Sequence, residues 1–165
     1  MDGLAAMAAA DEHHRYEMTS DGQVMISPIG DPAVAAVVSR LAMSLLRAYG
    51  SERVVVHLGI DFAEGGVRVP DISLWDHLPR ASRAGYVGTE GLRLIAEVRQ
   101  GSDPVGWLDR GAVYAAAGVP SYWVIDQGDT KVAHRHLLDA GGTYRPHPSG
   151  PVPIDRLLAT APNTD

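Results

Sequence analysis

The spacing of apolar positions changes several times along the chain, and each change predicts a new secondary-structure element. Apolar residues alternate with polar ones over residues 15–28, on both sides of the turn signal Asp21–Gly22, which predicts an N-terminal β-hairpin. Valine and leucine then recur at helical spacing as far as Gly50. This spacing predicts an amphipathic helix that Asp31 caps and Gly50 ends.

Three strand candidates follow this helix. Residues 53–62 are β-branched and almost continuously apolar, which is typical of a strand buried on both faces. Residues 67–75 form the second candidate and residues 92–99 the third, with a loop at 76–90 between them. Pro70 interrupts the second candidate, and because proline cannot donate to a β-ladder, we expect an edge or a bulge there.

The second half of the chain predicts a helix and a closing pair of strands. The helix is expected over residues 103–117, and the strands over 121–126 and 131–138. A Gly/Pro-rich segment at 139–153 precedes a short apolar stretch. Strands that alternate with helices in this order predict an α/β domain with a central mixed β-sheet flanked by helices.

Length and composition predict one folded domain. The chain has 165 residues, of which 45% are hydrophobic, so a single domain is expected. We expect a flexible, Ala-rich leader at 1–14, the domain at 15–158 and a polar tail at 159–165. No apolar run approaches the ~18 residues of a membrane helix, and the N-terminus lacks the cations of a signal peptide, so a cytoplasmic location without membrane contact is expected.

Charge and cysteine content exclude several classes of function. The formal net charge is -6 at pH 7, which argues against a protein that coats nucleic acid without sequence preference. A local basic groove remains compatible with that sum. The chain contains no cysteine, which excludes disulfides, zinc fingers and cysteine nucleophiles.

Two acidic residues occupy unusual positions in the predicted strands. Asp71 follows Pro70, and Glu97 lies in the apolar run Leu-Ile-Ala-Glu-Val. A carboxylate in a core strand is costly unless it is paired or binds a metal, and two that converge suit Mg²⁺. The alternative is that each acid points outward from a strand face. On the following helix, Arg110 and Tyr114 are four residues apart and share a face, which a surface arginine covering a tyrosine also explains.

A series of motifs resembles a known family over residues 15–138. The motifs are Tyr16-Glu17 before a glycine turn, Ser27-Pro28, Pro70-Asp71, Glu97-Val98, a basic residue four before Tyr114, and the stretch AGVPSYWVID at 117–126. The series resembles the Uma-type restriction endonucleases, a bacterial branch of the PD-(D/E)xK nuclease superfamily. The aromatic-rich stretch is the most specific of these motifs.

The resemblance implies a restriction-endonuclease-like fold and hydrolysis of DNA phosphodiester bonds with Mg²⁺ or Mn²⁺. Asp71 and Glu97 would be the metal ligands, and Glu17 an accessory acid. The family's catalytic lysine falls at Arg110, whereas the single lysine of the chain, Lys131, lies on a later strand. Lysine can exchange a proton when it is buried, whereas arginine stays protonated and orients water or stabilises charge.

The sequence leaves two alternative functions open. Without the family's lysine, the chain could keep the fold and serve as a nucleic-acid or protein-binding module. It could also form a homodimer in which an exposed strand, Trp107 and Trp123 make the interface.

Two further groups of residues are candidates for binding. His134 and His136 alternate on a strand and, with His147, could bind zinc or nickel. A set of arginines could line a groove that faces phosphates, or could be a scattered, solvated surface; the set comprises Arg80, Arg83, Arg93, Arg99 and Arg110.

Overall fold

The computed structural model describes residues 2–11, 13–28, 31–80, 85–99, 104–128 and 130–160. The helices are α1 (Asp2–Ala10), α2 (Pro32–Tyr49), α3 (Pro104–Ala116) and α4 (Ile154–Ala159). The strands are β1 (His14–Met18), β2 (Val24–Pro28), β3 (Val54–Val56), β4 (Ile60–Asp61), β5 (Val67–Arg68), β6 (Ile72–Trp75), β7 (Leu92–Arg99), β8 (Ser121–Asp126), β9 (Val132–Leu138), β10 (Tyr144–Pro146) and β11 (Val152–Pro153). The predicted α/β class, with a central mixed sheet flanked by helices, is confirmed.

The strands form two sheets. The larger runs in the order β10-β9-β8-β7-β6-β3, with β11 also on β9, and the smaller runs β2-β1-β5-β4. The central pair β7 and β8 is parallel, whereas β6 and β9 pair antiparallel on either side of it. The predicted N-terminal hairpin is β1 and β2, which lies in the smaller sheet.

The long amphipathic helix begins and ends as predicted. The side chain of Asp31 accepts a hydrogen bond from the backbone of Ala33 at 2.6 Å, and Pro32 occupies the first helical position. The buried face of α2, which includes Leu41 and Leu45, packs on one side of the larger sheet. A second core, which includes Tyr114 of α3, covers the other side.

Two predicted strands divide between the sheets. The expected strand at 53–62 breaks into β3, on the larger sheet, and β4, on the smaller one. Between them His57 has a left-handed backbone with φ 51°, which ends the ladder. The expectation that this strand is buried on both faces was therefore wrong: β3 is an edge strand, and Val56 is 45% exposed. The segment at 67–75 likewise divides into β5 and β6 on either side of Pro70. Pro70 therefore marks a break between the two sheets, and neither β5 nor β6 is the edge strand that the sequence predicted.

The chain termini contain structure that the sequence did not predict. Residues 2–10 form α1 in the segment expected to be a flexible leader. Alanine favours helix, and Leu4 is buried against a cluster that includes Tyr16. The Gly/Pro-rich segment contributes β10 and β11. The tail predicted at 159–165 lies mostly outside the described residues, and the domain limits stay predictions.

Gly66 allows the hairpin to approach the rest of the smaller sheet. Its φ is +80°, and a Cβ at this position would collide with the backbone carbonyl oxygen of Met18. Met18 pairs with Val67, the first residue of β5. The close approach fixes β1, and with it the side chains that β1 contributes to the site described next.

Candidate active site

Asp71 lies where the chain passes from the smaller sheet to the larger one. Its side chain is 2% exposed. Ile72 pairs with Ala96 in the antiparallel register, which places Asp71 beside Glu97 on the neighbouring strand. The carboxylate accepts a hydrogen bond at Oδ2 from the backbone N–H of Val98, at 2.6 Å.

A guanidinium and an imidazole face the other oxygen of Asp71. Arg15 donates from Nη2 to Oδ1 at 2.5 Å, and Nε2 of His57 lies 3.6 Å from the same oxygen. Nη2 of Arg15 also lies 3.0 Å from Nε2 of His57. The left-handed turn at His57 therefore brings an imidazole to the carboxylate as it redirects the strand.

Glu97 projects from β7 toward α3. Its neighbours Leu94, Ala96 and Val98 belong to the core on the α2 side, so the alternation of the strand turns Glu97 the other way. The phenol of Tyr114 donates to Oε1 at 2.6 Å, and Nη1 of Arg110 donates to the same atom at 3.2 Å. These two donors are four residues apart on one face of α3, as their spacing predicts.

Glu17 joins the hairpin to the same arginine. Arg110 contacts both oxygens of Glu17: Nη1 donates to Oε1 at 3.0 Å, and Nη2 donates to Oε2. Oε1 also accepts from the backbone N–H of Val69 at 2.7 Å. Glu17 and Arg15 are two positions apart on β1, so one strand face supplies both groups.

The surroundings of Asp71 and Glu97 shift the pKa values of their carboxyl groups in opposite directions. Burial opposes ionisation of Asp71, but contacts with His57, with Arg15 and with the Val98 N–H outweigh it and hold the pKa below its usual value. Burial raises the pKa of Glu97 to about 7. Arg110 opposes this rise, whereas the negative charges of Asp71 and Glu17 add to it.

The structure joins Glu97, Glu17 and Arg110 in one network and places Asp71 beside Glu97, on the neighbouring strand. Asp71, Glu97 and Glu17 are buried, and Arg110 lies between Glu97 and Glu17. Sequence reasoning missed Arg15 and His57. The signal for Arg15 was present, because it alternates with Glu17 on a predicted strand, whereas His57 depends on a strand break that the apolar pattern concealed.

The predicted arginine groove is largely neutralised among the described residues. Arg93 lies 3.7 Å from Asp76, and Arg99 lies 3.5 Å from Asp126. Arg80 is exposed, and Arg83 lies outside the described residues. The expected set therefore does not form one continuous cationic surface in the part of the chain that the structure describes.

The predicted histidine pair shares a sheet face, but His147 does not join it. His134 and His136 pair with alternate residues of β8. His147 contacts Arg135, which points to the opposite face of β9. Within the described ranges, no three His, Asp or Glu side chains gather as a metal site, so Glu17, Asp71 and Glu97 together do not form a closed protein cage either.

The proposed tryptophan interface was wrong for Trp123. This residue is 1% exposed and lies in the α2-side core, so it cannot contact a second chain. The side chain of Trp107 lies outside the described part of the structure, and the homodimer stays a prediction.

Among the described residues, none of the helices combines the length and the apolar character that a membrane-spanning helix needs.

Comparison with known proteins gives one family match. The model of the Uma2 family, described as "Putative restriction endonuclease", matches residues 2–160. No curated protein matches the chain.

A solved structure shares the fold. It is described as a "putative nuclease belonging to DUF820" from Anabaena variabilis ATCC 29413. The TM-score is 0.59 at 16% identity, and the match covers 87% of this chain and 89% of that one. At this identity the likeness establishes the arrangement of helices and strands.

Proposed function

Because this chain belongs to the Uma2 family of restriction-endonuclease proteins, we propose that it hydrolyses DNA phosphodiester bonds with Mg²⁺ or Mn²⁺. The observation that carries the proposal is the convergence of buried Asp71 and Glu97 beside Arg110. Buried carboxylates cost stability unless they are paired or bind a metal, and titratable groups with shifted pKa values gather at functional sites.

The donor chemistry of the pair fits a hard divalent cation. Mg²⁺ is usually held by one or two carboxylates together with water and substrate phosphates, which suits a site with two principal acids. All hydrogen bonds that Glu97 accepts from the described residues fall on Oε1, so Oε2 is available. We assign Asp71 and Glu97 as the ligands; the bound ion would lower the pKa of water and stabilise charge on the phosphate.

Arg15 and Arg110 would meet the substrate first. Their side chains are 16% and 21% exposed, whereas the carboxyls beneath them are nearly inaccessible. A phosphodiester anion can pair with both guanidinium groups, in competition with the carboxylates that they now neutralise. Substrate binding would thereby release carboxylate oxygens, and we expect metal affinity to rise when DNA is present.

The other groups position the acids. Asp71 stays ionised because His57, Arg15 and the N–H of Val98 stabilise its charge. Tyr114 and Arg110 orient Glu97 at a single oxygen. Glu17 would act as an accessory acid that positions Arg110, and Arg110 itself would supply fixed positive charge and not exchange a proton.

A binding module without catalysis is the alternative function. The family match does not favour it, since the match points to a nuclease. It remains the outcome if DNA binds but is not cleaved.

The test is cleavage of supercoiled plasmid DNA, and of an RNA with the same sequence, in Mg²⁺, Mn²⁺ or EDTA. The variants are Asp71→Asn and Glu97→Gln, with Asp155→Asn as the matched control because Asp155 is 94% exposed on α4. We expect metal-dependent DNA cleavage that both site variants abolish and the control retains. Cleavage that persists in both site variants would refute the assignment.

A further inference from the structure

Strand β2 is an uncovered edge of the smaller sheet. It pairs with β1 on one side, and no other described strand pairs with it. All five of its residues are exposed, and three of them are large and apolar: Val24 at 45%, Met25 at 38% and Ile26 at 54%. An exposed apolar edge strand is a template for pairing with another chain.

The hairpin turn shows which backbone groups of β2 face outward. The backbone N–H of Thr19 donates to the carbonyl oxygen of Gln23 at 2.9 Å, so the pair that closes the turn is a hydrogen-bonded one. The ladder of β1 and β2 begins with the next pair, and hydrogen-bonded and non-hydrogen-bonded pairs alternate along an antiparallel ladder. Every second residue of β2 therefore bonds to β1, and the others direct their backbone polar groups outward, namely Val24, Ile26 and Pro28.

These outward groups match a second copy of the same strand. When two β2 strands run antiparallel with Ile26 opposite Ile26, the N–H of each Ile26 faces the carbonyl oxygen of the other. The N–H of each Val24 then faces the carbonyl oxygen of Pro28 in the other copy. Proline lacks an N–H, but in this register the loss removes only the outermost bond at each end. The edge is therefore complementary to itself across a two-fold axis.

Charge favours association at this edge over the rest of the surface. Each chain carries a formal net charge of -6, so two copies repel one another in general. Strand β2, with the sequence VMISP, contains no charged residue, so no like charges on the two strands meet across the axis. An edge strand that is protected against association commonly carries lysine or another charge.

The opposite edge of the smaller sheet is covered. Strand β4 pairs with β5 on one side, and on the other side Ile60 forms a bridge with Val87. The N–H of Asp61 donates to the carbonyl oxygen of Val87 at 2.8 Å, and the N–H of Val87 donates to that of Gly59 at 3.1 Å. Among the described strands of this sheet only β2 offers an open edge, so pairing ends at two copies and does not extend into a fibre.

We propose that the chain forms a two-fold homodimer in which β2 pairs antiparallel with β2 of a second copy and joins the two smaller sheets into one. On β1, Arg15 pairs with Ser27 and Glu17 pairs with Met25, so these four side chains share a face of the sheet. Because the two-fold axis is perpendicular to the joined sheet, this face is the same in both copies. The Arg15 and Glu17 side chains of the two candidate sites then lie on one face, with their β1 strands three strand spacings, or about 14 Å, apart.

Sedimentation velocity over a concentration series, without DNA or metal, measures the association. We expect a reversible equilibrium between monomer and dimer, because a five-residue edge makes a small interface. Ile26→Lys places two ammonium groups opposite each other at the axis and should raise the dissociation constant at least ~10-fold. The matched control is Val56→Lys, which should leave the constant unchanged, because Val56 is 45% exposed on β3, an edge strand of the larger sheet.

Three results of this experiment would overturn the proposal. They are a monomer at every concentration up to the millimolar range, a dimer that Ile26→Lys leaves intact, and a dimer that Val56→Lys dissociates. Because the measurement involves no DNA, its failure leaves the proposed hydrolysis in place, and an absence of DNA cleavage leaves the dimer in place.

A distance measurement tests the register of the two strands. The chain contains no cysteine, so Gln23→Cys introduces a single attachment site for a nitroxide label in each copy. Gln23 is exposed and precedes Ile26 by three residues, which places the two Cα atoms of residue 23 about 20 Å apart in the proposed register. Pulsed electron–electron double resonance should give a distance near this value. A distance beyond about 30 Å would show that the copies associate through another surface.

Discussion

Arg110 holds Glu17 through both terminal nitrogens of its guanidinium, although the two residues come from opposite halves of the chain. The same guanidinium reaches Glu97 through Nη1. Helix α3, which packs on the larger sheet, is thereby joined to the β1–β2 hairpin of the smaller sheet. A lysine at this position would carry the charge but could not make the two-point contact.

Replacement of Arg110 by methionine should destabilise the protein by about 3 kcal/mol or more, because it leaves two buried carboxyls without their cation. Arg110→Lys should lose less, since it keeps the charge. Urea unfolding measures both free energies, and Arg47→Met, at an exposed position on α2, is the control. A loss in Arg110→Met no larger than in the control would contradict the role of this contact.

Replacement of Arg15 tests whether a buried ion pair contributes more to the free energy of unfolding than an exposed ion pair does. Arg15→Gln should cost about 2–3 kcal/mol, since Asp71 stays buried without its cation. Arg40→Gln should cost at most about 0.5 kcal/mol, because Arg40 lies 3.9 Å from Asp155 and both are largely exposed. Urea unfolding of the two variants measures the contrast, and similar losses would show that Asp71 does not depend on Arg15.

The raised pKa of Glu97 predicts how stability depends on pH. Between its usual pKa of 4.5 and its folded pKa of about 7, the folded protein holds a proton that the unfolded chain has released. The Glu97 contribution is therefore fully present below pH 4.5 and is lost as the pH rises toward 7. Unfolding of wild type and Glu97→Gln in EDTA across this range isolates the contribution by difference.

The sign of that difference is the decisive observation. The wild type should lose stability relative to Glu97→Gln as the pH rises. Glu90→Gln, at an exposed acid, should follow the wild type throughout. A constant difference between wild type and Glu97→Gln would contradict a protonated Glu97.

Gly66 provides a test of the approach between β1 and β5. Gly66→Ala combines an unfavourable positive φ with a collision against the Met18 carbonyl, whereas Gly22 has a similar φ of +83° and open space around it. Gly22→Ala should cost about 1 kcal/mol, the backbone effect alone. Gly66→Ala should cost clearly more in urea unfolding, and equal losses would show that the backbone can yield at this point.

Much of the fold could be predicted from the sequence because the signals were local. The cap at Asp31, the hairpin turn at Asp21 and Gly22, and the apolar run around Glu97 each act within a few residues. The break at His57 could not be predicted, because a continuous apolar run does not show which of two sheets each half will join. The strands after residue 139 were concealed by glycine and proline, and they form because β9 offers an edge on which to pair.

The candidate site was only half visible in the sequence. Asp71 and Glu97 stand out because acids are unusual in apolar strands, and the resemblance indicated Glu17 and Arg110. The ion pair of Arg15 with Asp71 joins residues 56 positions apart, and no local pattern encodes it.

The placement of Arg15 and Glu17 on β1 makes the hairpin a component of the site and not an appendage. A chain shortened to start at Asp31 would keep every strand of the larger sheet. It would also lose Arg15, which pairs with Asp71, and Glu17, whose two carboxylate oxygens both contact Arg110. The first thirty residues thus supply two of the charged groups that hold the acids of the site, whereas Asp71, Glu97 and Arg110 come from the part of the chain that builds the larger sheet.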